Sequence, residues 1–338
     1  MRPLVVVDAD VLGRHRTGDE TYVRNLLREL GSLAPEAGLR VAAATRRPDL
    51  VPAGVEPVEL RARSQELRMA LTLPRLLRRI GAALVHTQYA LPLRSPCPVV
   101  VTVHDASFAR EPRLMGLRDR LVFRAVVPRA VRRAARVLTV SERTKRDLRE
   151  LYGVGDEQVV VTPNGVDPIF SPGTGAHDFV LCVGAIQRRK NQLAALEAAG
   201  TVGLPLVVAG PTKDRALAEE LRRGGARLEG YVDDERLATL YREAACLVQP
   251  SRYEGFGLPV LEAMASGTPV VATRDPALEE VAGEAAVYVD DDGLADGIRR
   301  AIADRETLVA AGLARAALFS WRATAERTLA VYREILGS

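Results

Sequence analysis

The feature that most constrains the fold is a regular alternation of short apolar runs with longer stretches of helical character. Buried parallel strands read as continuous apolar runs, and helices cover both faces of such sheets. In the first half of the chain these runs lie at 4–7, 41–44, 83–86, 99–103, 137–140 and 159–161. In the second half they lie at 179–183, 206–209, 227–229, 246–248, 270–273 and 286–289. The alternation predicts an α/β protein with two Rossmann-like, doubly wound domains.

A segment rich in turn-forming residues separates the two halves. Residues 163–175 contain Pro163, Pro168 and Pro172 together with glycines, and they lack apolar periodicity. We therefore place a linker at about 163–175, a first domain at 1–168 and a second domain at 176–320. Open parallel sheets bind ligands beyond the carboxyl ends of their strands, so we expect the site to lie in the cleft between the two domains.

Length and composition indicate an ordinary globular protein. The chain has 338 residues, of which 47% are hydrophobic and 27% are charged, so it is long enough for two domain cores. No apolar run approaches the ~20 residues of a membrane-spanning helix, and Met1 leads into a strand and not into a signal peptide. The 3 cysteines are far apart, which predicts buried thiols in a reducing compartment. We expect a cytoplasmic protein.

Charge is divided unevenly along the chain. Residues 1–170 hold 28 Lys and Arg against 19 Asp and Glu, whereas the remainder is acidic. Arginines concentrate at 61–79 and at 113–136, where they alternate with apolar residues. Such a face suits either contact with anionic lipid at the inner face of the plasma membrane or a solvated helix surface. Aromatic residues are few there, which argues against a nucleic-acid partner.

The second half contains one stretch, 251–267, that combines a strand exit, a glycine-flanked loop and a helix start. Gly255 and Gly257 let the backbone come close to a ligand, and Pro259 suits the first turn of a helix. The free N–H groups of a helix start favour phosphate. Glu254 lies in the loop, and Glu262 lies in the early helix, where it could bind the diol of a ribose or simply complement the helix dipole.

This stretch, Ser-Arg-Tyr-Glu-Gly-Phe-Gly-Leu-Pro-Val-Leu-Glu-Ala-Met-Ala-Ser-Gly, resembles the signature of family 4 of the retaining glycosyltransferases, which have the glycosyltransferase B (GT-B) fold. The resemblance implies that Glu254 holds the donor sugar and that Glu262 holds the nucleotide ribose. The donor-binding loop would consist of Gly255, Phe256, Gly257 and Leu258. In the resembled fold the final helix, 321–336, crosses back to the first domain, which gives that domain the residues 321–338 as well.

A second segment, 184–191, resembles the family's diphosphate-binding segment, in which a glycine precedes basic residues and a helix. Arg189 and Lys190 match the diphosphate-binding positions, whose charges would stabilise the leaving group in the place of a metal. Many members have an arginine directly after the glycine, whereas this chain has Ala185. Arg188 could substitute for it.

Four further positions are carried over from the same family. His104 and Asp105 follow an apolar run and match a His-Asp segment whose histidine approaches the donor sugar. A histidine that caps the next element is the competing interpretation. Gly18 stands in the place of a glycine-rich loop, although Glu20 replaces its usual second glycine. The backbone near Val232 would lie beside the nucleotide base.

Two aspartates near the start of the chain have two possible functional interpretations. Asp8-Ala-Asp10 follows an apolar run and could be a metal-binding Asp-x-Asp or the nucleophile of a phosphatase. Neither interpretation finds its partner residues downstream in order. We therefore interpret both residues as strand-end aspartates.

Together these features predict a retaining, metal-independent hexosyltransferase that needs no cofactor besides its nucleotide-sugar donor. Glu254, His104, Lys190 and Arg189 are the predicted catalytic residues. GDP-mannose is the first candidate donor, because Ala185 and the segment 104–108 resemble mannosyltransferase-like members, and UDP-hexoses and deoxysugar donors are the alternatives. A glycan, a lipid-linked glycan or a natural product could accept the sugar. The alternatives are a nucleotide-sugar epimerase of the same fold and a non-catalytic subunit that binds sugar nucleotides.

Overall fold

The computed structural model describes residues 2–14, 17–62, 64–114 and 117–337. The chain divides into two compact units, one formed by Met1–Gly165 with Trp321–Ser338 (unit 1) and the other by Val166–Ser320 (unit 2). This division falls within the segment for which a linker was predicted. Of the residues and ranges discussed above, Met1, Arg63, Met115, Gly116 and Ser338 lie outside the described residues.

The described residues of unit 1 form a sheet of seven strands with helices between them. Its strands are β1 (Leu4–Asp8), β2 (Arg40–Thr45), β3 (Glu56–Glu59), β4 (Leu84–Gln88), β5 (Val99–Val103), β6 (Arg136–Thr139) and β7 (Val159–Val161). Its helices within this part of the chain are α1 (Thr17–Glu36), α2 (Gln65–Leu67), α3 (Leu73–Ile80), α4 (Ser107–Arg110), α5 (Leu117–Arg133) and α6 (Glu142–Tyr152). A π-helical turn, Arg68–Thr72, joins α2 to α3, and short 3-10 turns lie at Pro48–Leu50, Pro112–Leu114 and Asp156–Gln158.

All strands of unit 1 pair in parallel in the order β3-β2-β1-β4-β5-β6-β7. The strand order reverses between β1 and β4. From β1 the chain continues to β2 and β3 on one side of the sheet, and from β4 it continues to β5, β6 and β7 on the other side. β1 and β5 are buried at every position, as expected for strands that helices cover on both faces. Ligands bind beyond the carboxyl ends of the strands at such a reversal, so the carboxyl ends of β1 and β4 are an edge where side chains can form a site.

Unit 2 repeats this design with six strands in the order β10-β9-β8-β11-β12-β13. The strands are β8 (Val180–Val183), β9 (Leu206–Ala209), β10 (Arg227–Gly230), β11 (Cys246–Gln249), β12 (Val270–Thr273) and β13 (Val287–Val289). The helices are α7 (Gln192–Thr201), α8 (Arg215–Arg223), α9 (Asp234–Glu243), α10 (Leu258–Ala265), α11 (Pro276–Ala282), α12 (Leu294–Ala303) and α13 (Arg305–Ala316), with 3-10 turns at Arg188–Lys190 and Asp291–Gly293. Two parallel, doubly wound sheets confirm the predicted fold class.

The last helix, α14 (Trp321–Leu336), belongs to unit 1. It packs on α1, and the Trp321 ring meets the Tyr22 ring edge to face at 6.2 Å. The Tyr332 hydroxyl lies 2.5 Å from His86 Nδ1, and the Thr324 hydroxyl donates to the Pro163 carbonyl at 2.5 Å. Apolar packing and buried hydrogen bonds together attach the end of the chain to the first sheet.

The two aspartates at the end of β1 are buried beside arginines. Arg68 pairs with Asp8 at 3.3 Å and also with Asp10, and Arg46 Nε donates to Asp10 at 2.9 Å. Burial raises the pKa of Asp8 against the lowering effect of Arg68. Arg68 is thus part of a buried ion-pair cluster and does not contribute to the basic surface predicted at 61–79. Asp8 ends β1, as interpreted from the sequence.

Among the described helices, none is both long and apolar enough to cross a membrane.

Candidate functional site

The glycine loop of unit 2 leads directly into α10. Gly257 has φ +111°, a conformation that residues with a side chain rarely adopt, and a Cβ there would lie 2.7 Å from Leu278 Cδ2. Leu258 and Pro259 form the first turn of α10, and Gly255 and Phe256 are buried before it. Phe256 packs edge to face on Phe319 at 6.0 Å. The loop is therefore held from both sides and presents the start of α10 in a fixed position.

Glu254 lies at the centre of a buried charge cluster. Lys190 Nζ lies 2.6 Å from Glu254 Oε1, and Arg189 Nη1 lies 3.6 Å from Oε2. Glu254 is 6% exposed and Lys190 is 9% exposed, so the pair is largely shielded from water. Burial alone would raise the pKa of Glu254, but the charges of Lys190 and Arg189 and the Lys190 hydrogen bond lower it to about 2. Glu254 is a carboxylate at neutral pH.

A glycine makes room for the lysine of this cluster. Gly184 follows β8 with φ +139°, and a Cβ at this position would lie 3.3 Å from Lys190 Cε. Lys190 ends the 3-10 turn Arg188–Lys190, and Asn191, with φ 52°, is the N-cap residue that precedes α7. Arg189 Nη1 also donates to the Tyr253 carbonyl, which ties this turn to the glutamate loop. Arg188 points elsewhere, towards Asp214 at 3.5 Å, and is not part of the cluster.

Two residues that the sequence analysis missed hold the glutamate loop. Gln249, the last residue of β11, donates from Nε2 to Glu254 Oε1 at 2.5 Å and to Ser251 Oγ at 3.1 Å. The Glu254 backbone N–H donates to Asp275 Oδ2 at 3.3 Å, and Asp275 also caps α11. Gln249 could have been predicted as a site residue, because it is a polar residue at the carboxyl end of a buried strand. No local sequence pattern indicated Asp275.

Glu262 lies one turn into α10 and is 7% exposed. The hydroxyl of Tyr241, a fully buried residue of α9, donates to Glu262 Oε2 at 2.9 Å. Burial and the neighbouring Glu262 charge raise the pKa of Tyr241 well above its ordinary value, so the hydroxyl keeps its proton. Tyr241 therefore orients one carboxylate oxygen of Glu262. Val232 lies between β10 and α9, in the segment that leads to Tyr241.

The predicted residues of unit 1 lie near the carboxyl end of β5. His104 directly follows β5, and its ring is in contact with Tyr22 at 4.7 Å and with Tyr89 at 5.6 Å. Asp105 accepts hydrogen bonds from the Ser107 backbone and hydroxyl at 3.0 and 2.8 Å, so its side chain forms an Asx turn that leads into α4. Burial lowers the pKa of His104, which keeps its imidazole neutral at neutral pH.

Gly18 lies exposed in the first turn of α1. Glu20, which stands where a second glycine was expected, is half-buried and accepts a hydrogen bond from the Gly13 backbone at 2.7 Å. Its side chain holds the preceding loop, so this position has a structural use that glycine could not have. Among the described residues no group of three or more His, Cys, Asp and Glu side chains could hold a metal ion.

The amino-acid sequence of the chain matches the models of two protein families. Residues 16–170 match the model of "Glycosyltransferase Family 4", and residues 177–304 match the model of "Glycosyl transferases group 1". The O-antigen chain mannosyltransferase B of Escherichia coli is 30% identical over 69% of this chain and 70% of its own length. The MMP alpha-(1->4)-mannosyltransferase of Mycolicibacterium hassiacum is 33% identical over 71% of this chain and 66% of its own length.

Solved structures agree on the fold. Sucrose-phosphate synthase of Thermosynechococcus elongatus superposes with a TM-score of 0.80 at 22% identity, and the match covers 100% of both chains. Anabaena HepE, solved in complex with UDP and glucose, has a TM-score of 0.75 at 16% identity and covers 99% of this chain and 100% of its own. With the two family models matched in separate halves, the chain belongs to the family 4 glycosyltransferases and has the GT-B fold.

Proposed function

We propose that the protein is a retaining, metal-independent hexosyltransferase that takes its sugar from a nucleotide-sugar donor. The observation that carries the proposal is the buried cluster of Glu254, Lys190 and Arg189 beside the start of α10. Two cations against one carboxylate leave a net positive charge at a point where water is largely excluded. A diphosphate is the group that such a charge and a helix start would bind together.

The protonation state of Glu254 favours a particular role in the reaction. A carboxyl group whose pKa is about 2 cannot act as a general acid at neutral pH. Its Oε1 already accepts hydrogen bonds from Lys190 and Gln249, which makes it a weak nucleophile. Glu254 is better suited to accept hydrogen bonds from donor-sugar hydroxyls. The leaving diphosphate would then take the acceptor proton while the acceptor hydroxyl attacks from the same face.

Lys190 and Arg189 would act as the bond between the donor sugar and the diphosphate breaks. Negative charge grows on the leaving diphosphate, and Lys190 and Arg189 are fixed in a site of low water content, where a charge interaction is stronger than in water. Glu262, oriented by Tyr241, would accept hydrogen bonds from the ribose diol. This assignment uses side chains for the work that a metal performs in other transferases.

GDP-mannose is the proposed donor, and a hydroxyl of a glycan, a lipid-linked glycan or a natural product is the proposed acceptor. Two similar relatives are named as mannosyltransferases, which supports a mannosyl donor. Anabaena HepE was solved with UDP, so a uridine donor is the first comparison to make. We also propose that the protein works in the cytoplasm, in peripheral contact with the inner face of the membrane.

The test is thermal stability against GDP-, UDP-, ADP- and dTDP-sugars in the presence of a chelator. A ligand that binds the folded state raises the melting temperature, and we expect the largest shift with GDP-mannose. Glu262→Ala should remove most of that shift, since losing a hydrogen-bonded carboxylate costs about 1–3 kcal/mol. Glu279→Ala, an exposed carboxylate elsewhere in unit 2, is the matched control.

The outcomes of these assays distinguish the proposed function from its alternatives. A shift that disappears with the chelator would overturn metal independence. Release of nucleoside diphosphate only when an acceptor is present is expected of a transferase, whereas an epimerase would convert the donor without an acceptor. A donor that binds but never turns over would indicate a non-catalytic subunit.

A further inference from the structure

The short helix α11 is attached to the loop that carries Glu254, which is the glutamate loop and comprises residues 253–257. Asp275 precedes α11 and is 4% exposed. Its Oδ1 accepts the Ala277 backbone N–H at 2.9 Å, which caps the helix, and its Oδ2 accepts the Glu254 backbone N–H at 3.3 Å. A buried backbone N–H needs an acceptor, so this one carboxylate fixes the beginning of α11 and the backbone of Glu254 together.

The middle of α11 closes one side of the same loop. Leu278 is fully buried, and a Cβ at Gly257 would lie 2.7 Å from its Cδ2, so the helix and the loop are in close contact here. Protein interiors are packed at high density and transmit small displacements. A shift of α11 would therefore also shift the glutamate loop.

The other end of α11 is held by Arg315, which lies in the last turn of α13. Its Nε donates to the Val281 carbonyl at 2.8 Å, and its Nη2 donates to the Glu280 carbonyl at 2.6 Å. The last carbonyls of a helix have no partner within the helix, and a cation complements the negative end of the helix dipole. Arg315 thus fixes the end of α11 that is opposite Asp275.

Arg315 also supports the glutamate loop by a second path. Its guanidinium carbon lies 5.2 Å from the centre of the Phe319 ring, and Phe319 meets the Phe256 ring edge to face at 6.0 Å. Phe256 is 4% exposed and stands between Gly255 and Gly257. Both ring contacts have favourable geometries. The loop is therefore held through α11 and through Phe319, and Arg315 contacts both.

We propose that Arg315 is a positioning residue of the donor site, which holds the backbone of Glu254 in place without touching the substrate. The inference rests on the proposed function, in which Glu254 accepts hydrogen bonds from hydroxyls of the donor sugar. Lys190 and Arg189 hold the carboxylate of that side chain. Arg315 holds the backbone from which the side chain extends.

This role separates binding of the sugar from binding of the nucleotide. Glu262, the proposed ribose ligand, is oriented by Tyr241 of α9, so the two glutamates receive support from different helices. A small displacement of a group that holds the reacting part of a substrate lowers the rate of the reaction. Loosening the glutamate loop should therefore reduce the rate of sugar transfer more than the affinity for nucleotide.

The experiment compares the wild-type enzyme with Arg315→Met, which keeps an apolar chain and removes the guanidinium. Steady-state transfer from GDP-mannose to a sugar acceptor gives kcat, and titration with GDP gives the Kd of the nucleotide. We expect kcat to fall about tenfold or more and the Kd of GDP to stay within about twofold. Phe319→Leu, which removes the ring and leaves α11 capped, should also lower kcat. Arg299→Met, at an exposed arginine of α12 that pairs with Asp296, should behave as wild type.

Amide hydrogen exchange supplies a measurement that needs no substrate. The peptide of residues 253–258 should exchange about tenfold faster in Arg315→Met, because the Glu254 N–H loses its fixed acceptor, whereas β11 should exchange as in wild type. Faster exchange throughout unit 2 would show that Arg315 stabilises the fold and does not position the loop. Wild-type kcat in both variants, or a loss of GDP affinity as large as the loss of kcat, would overturn the positioning role. If the wild-type protein neither binds GDP nor turns over any nucleotide sugar, the proposed function fails, and the exchange rates still report whether Arg315 holds the loop.

Discussion

Single buried hydrogen bonds determine how the glutamates of unit 2 are presented. Glu254 and Glu262 are separated by seven residues in sequence, yet their partners come from other elements. Gln249 and Lys190 hold one carboxylate, and Tyr241 holds the other. A carboxylate fixed before the ligand arrives loses less side-chain entropy on binding, which improves affinity. Gln249 and Tyr241 should therefore influence binding without touching the ligand.

The Tyr241 hydroxyl gives a direct test of this idea. Tyr241→Phe removes the donor to Glu262 Oε2 and keeps the ring, so it should weaken nucleoside diphosphate binding by about 1 kcal/mol, or roughly fivefold. Isothermal titration of the full chain measures the change. Tyr288→Phe is the control, because its hydroxyl donates to the Gly283 carbonyl at 2.9 Å and does not touch Glu262. Equal affinity of Tyr241→Phe and wild type would contradict the positioning role.

Residues within one local motif could be predicted from sequence, whereas their partners could not. The glycine, the helix start and the two glutamates lie within 251–267, and Arg189 and Lys190 lie within one short segment. Tyr241 precedes Glu262 by 21 residues, and its hydroxyl reaches the carboxylate only because α9 packs beside α10. The ion pair between Lys190 and Glu254 spans 64 residues. Tertiary packing creates such contacts, and no local pattern encodes them.

At the scale of elements, the strands could be predicted more reliably than the place of the last helix. Continuous apolar runs gave every strand except β3, because helices cover both faces of the sheets, whereas β3 is an edge strand whose residues alternate between half-buried and exposed. The return of α14 to unit 1 followed only from the family resemblance. In the structure this helix is fixed by Trp321 against Tyr22 and by Tyr332 against His86. Those contacts join residues more than two hundred positions apart, which sequence periodicity cannot indicate.

The attachment of α14 to β4 predicts a pH dependence of stability. His86 is fully buried between Tyr332 and Thr102, and burial lowers its pKa to about 3. Between about pH 6.5 and pH 3 the unfolded chain binds a proton that folded His86 does not bind. The free energy of unfolding of unit 1 is therefore largest above pH 6.5 and falls as the pH decreases, by about 2 kcal/mol at pH 5.

Urea unfolding followed by tryptophan fluorescence measures this change, since the chain has 1 tryptophan, Trp321, and it lies in unit 1. His86→Gln should be less stable than wild type at neutral pH and should lose less stability on acidification. His177→Gln, in unit 2, should show the same decrease of the free energy of unfolding with pH as wild type in this assay. If His86→Gln also shows the wild-type decrease with pH, His86 is not the group responsible for it.

At the scale of the whole molecule, the two units carry net charges of opposite sign. Unit 1 holds 31 Lys and Arg against 20 Asp and Glu, a net charge of +11, whereas unit 2 holds 16 against 23, a net charge of −7. Part of the positive charge lies on the exposed face of α5, where Arg129, Arg132 and Arg133 follow the exposed residues Leu121 and Val122. Basic residues beside exposed apolar ones suit the surface of an anionic bilayer.

We propose that this face of α5 contacts anionic lipid, and vesicle sedimentation tests it. Each arginine near such a surface contributes about 1 kcal/mol, so Arg132→Glu/Arg133→Glu should weaken binding to vesicles rich in phosphatidylglycerol by about tenfold or more. Arg222→Glu/Arg223→Glu makes the same change on an exposed face of unit 2 and should bind as wild type. Raising the salt concentration should weaken wild-type binding, because screening shortens the range of the attraction. If the α5 variant sediments as wild type does, the basic face of α5 is a solvated helix surface.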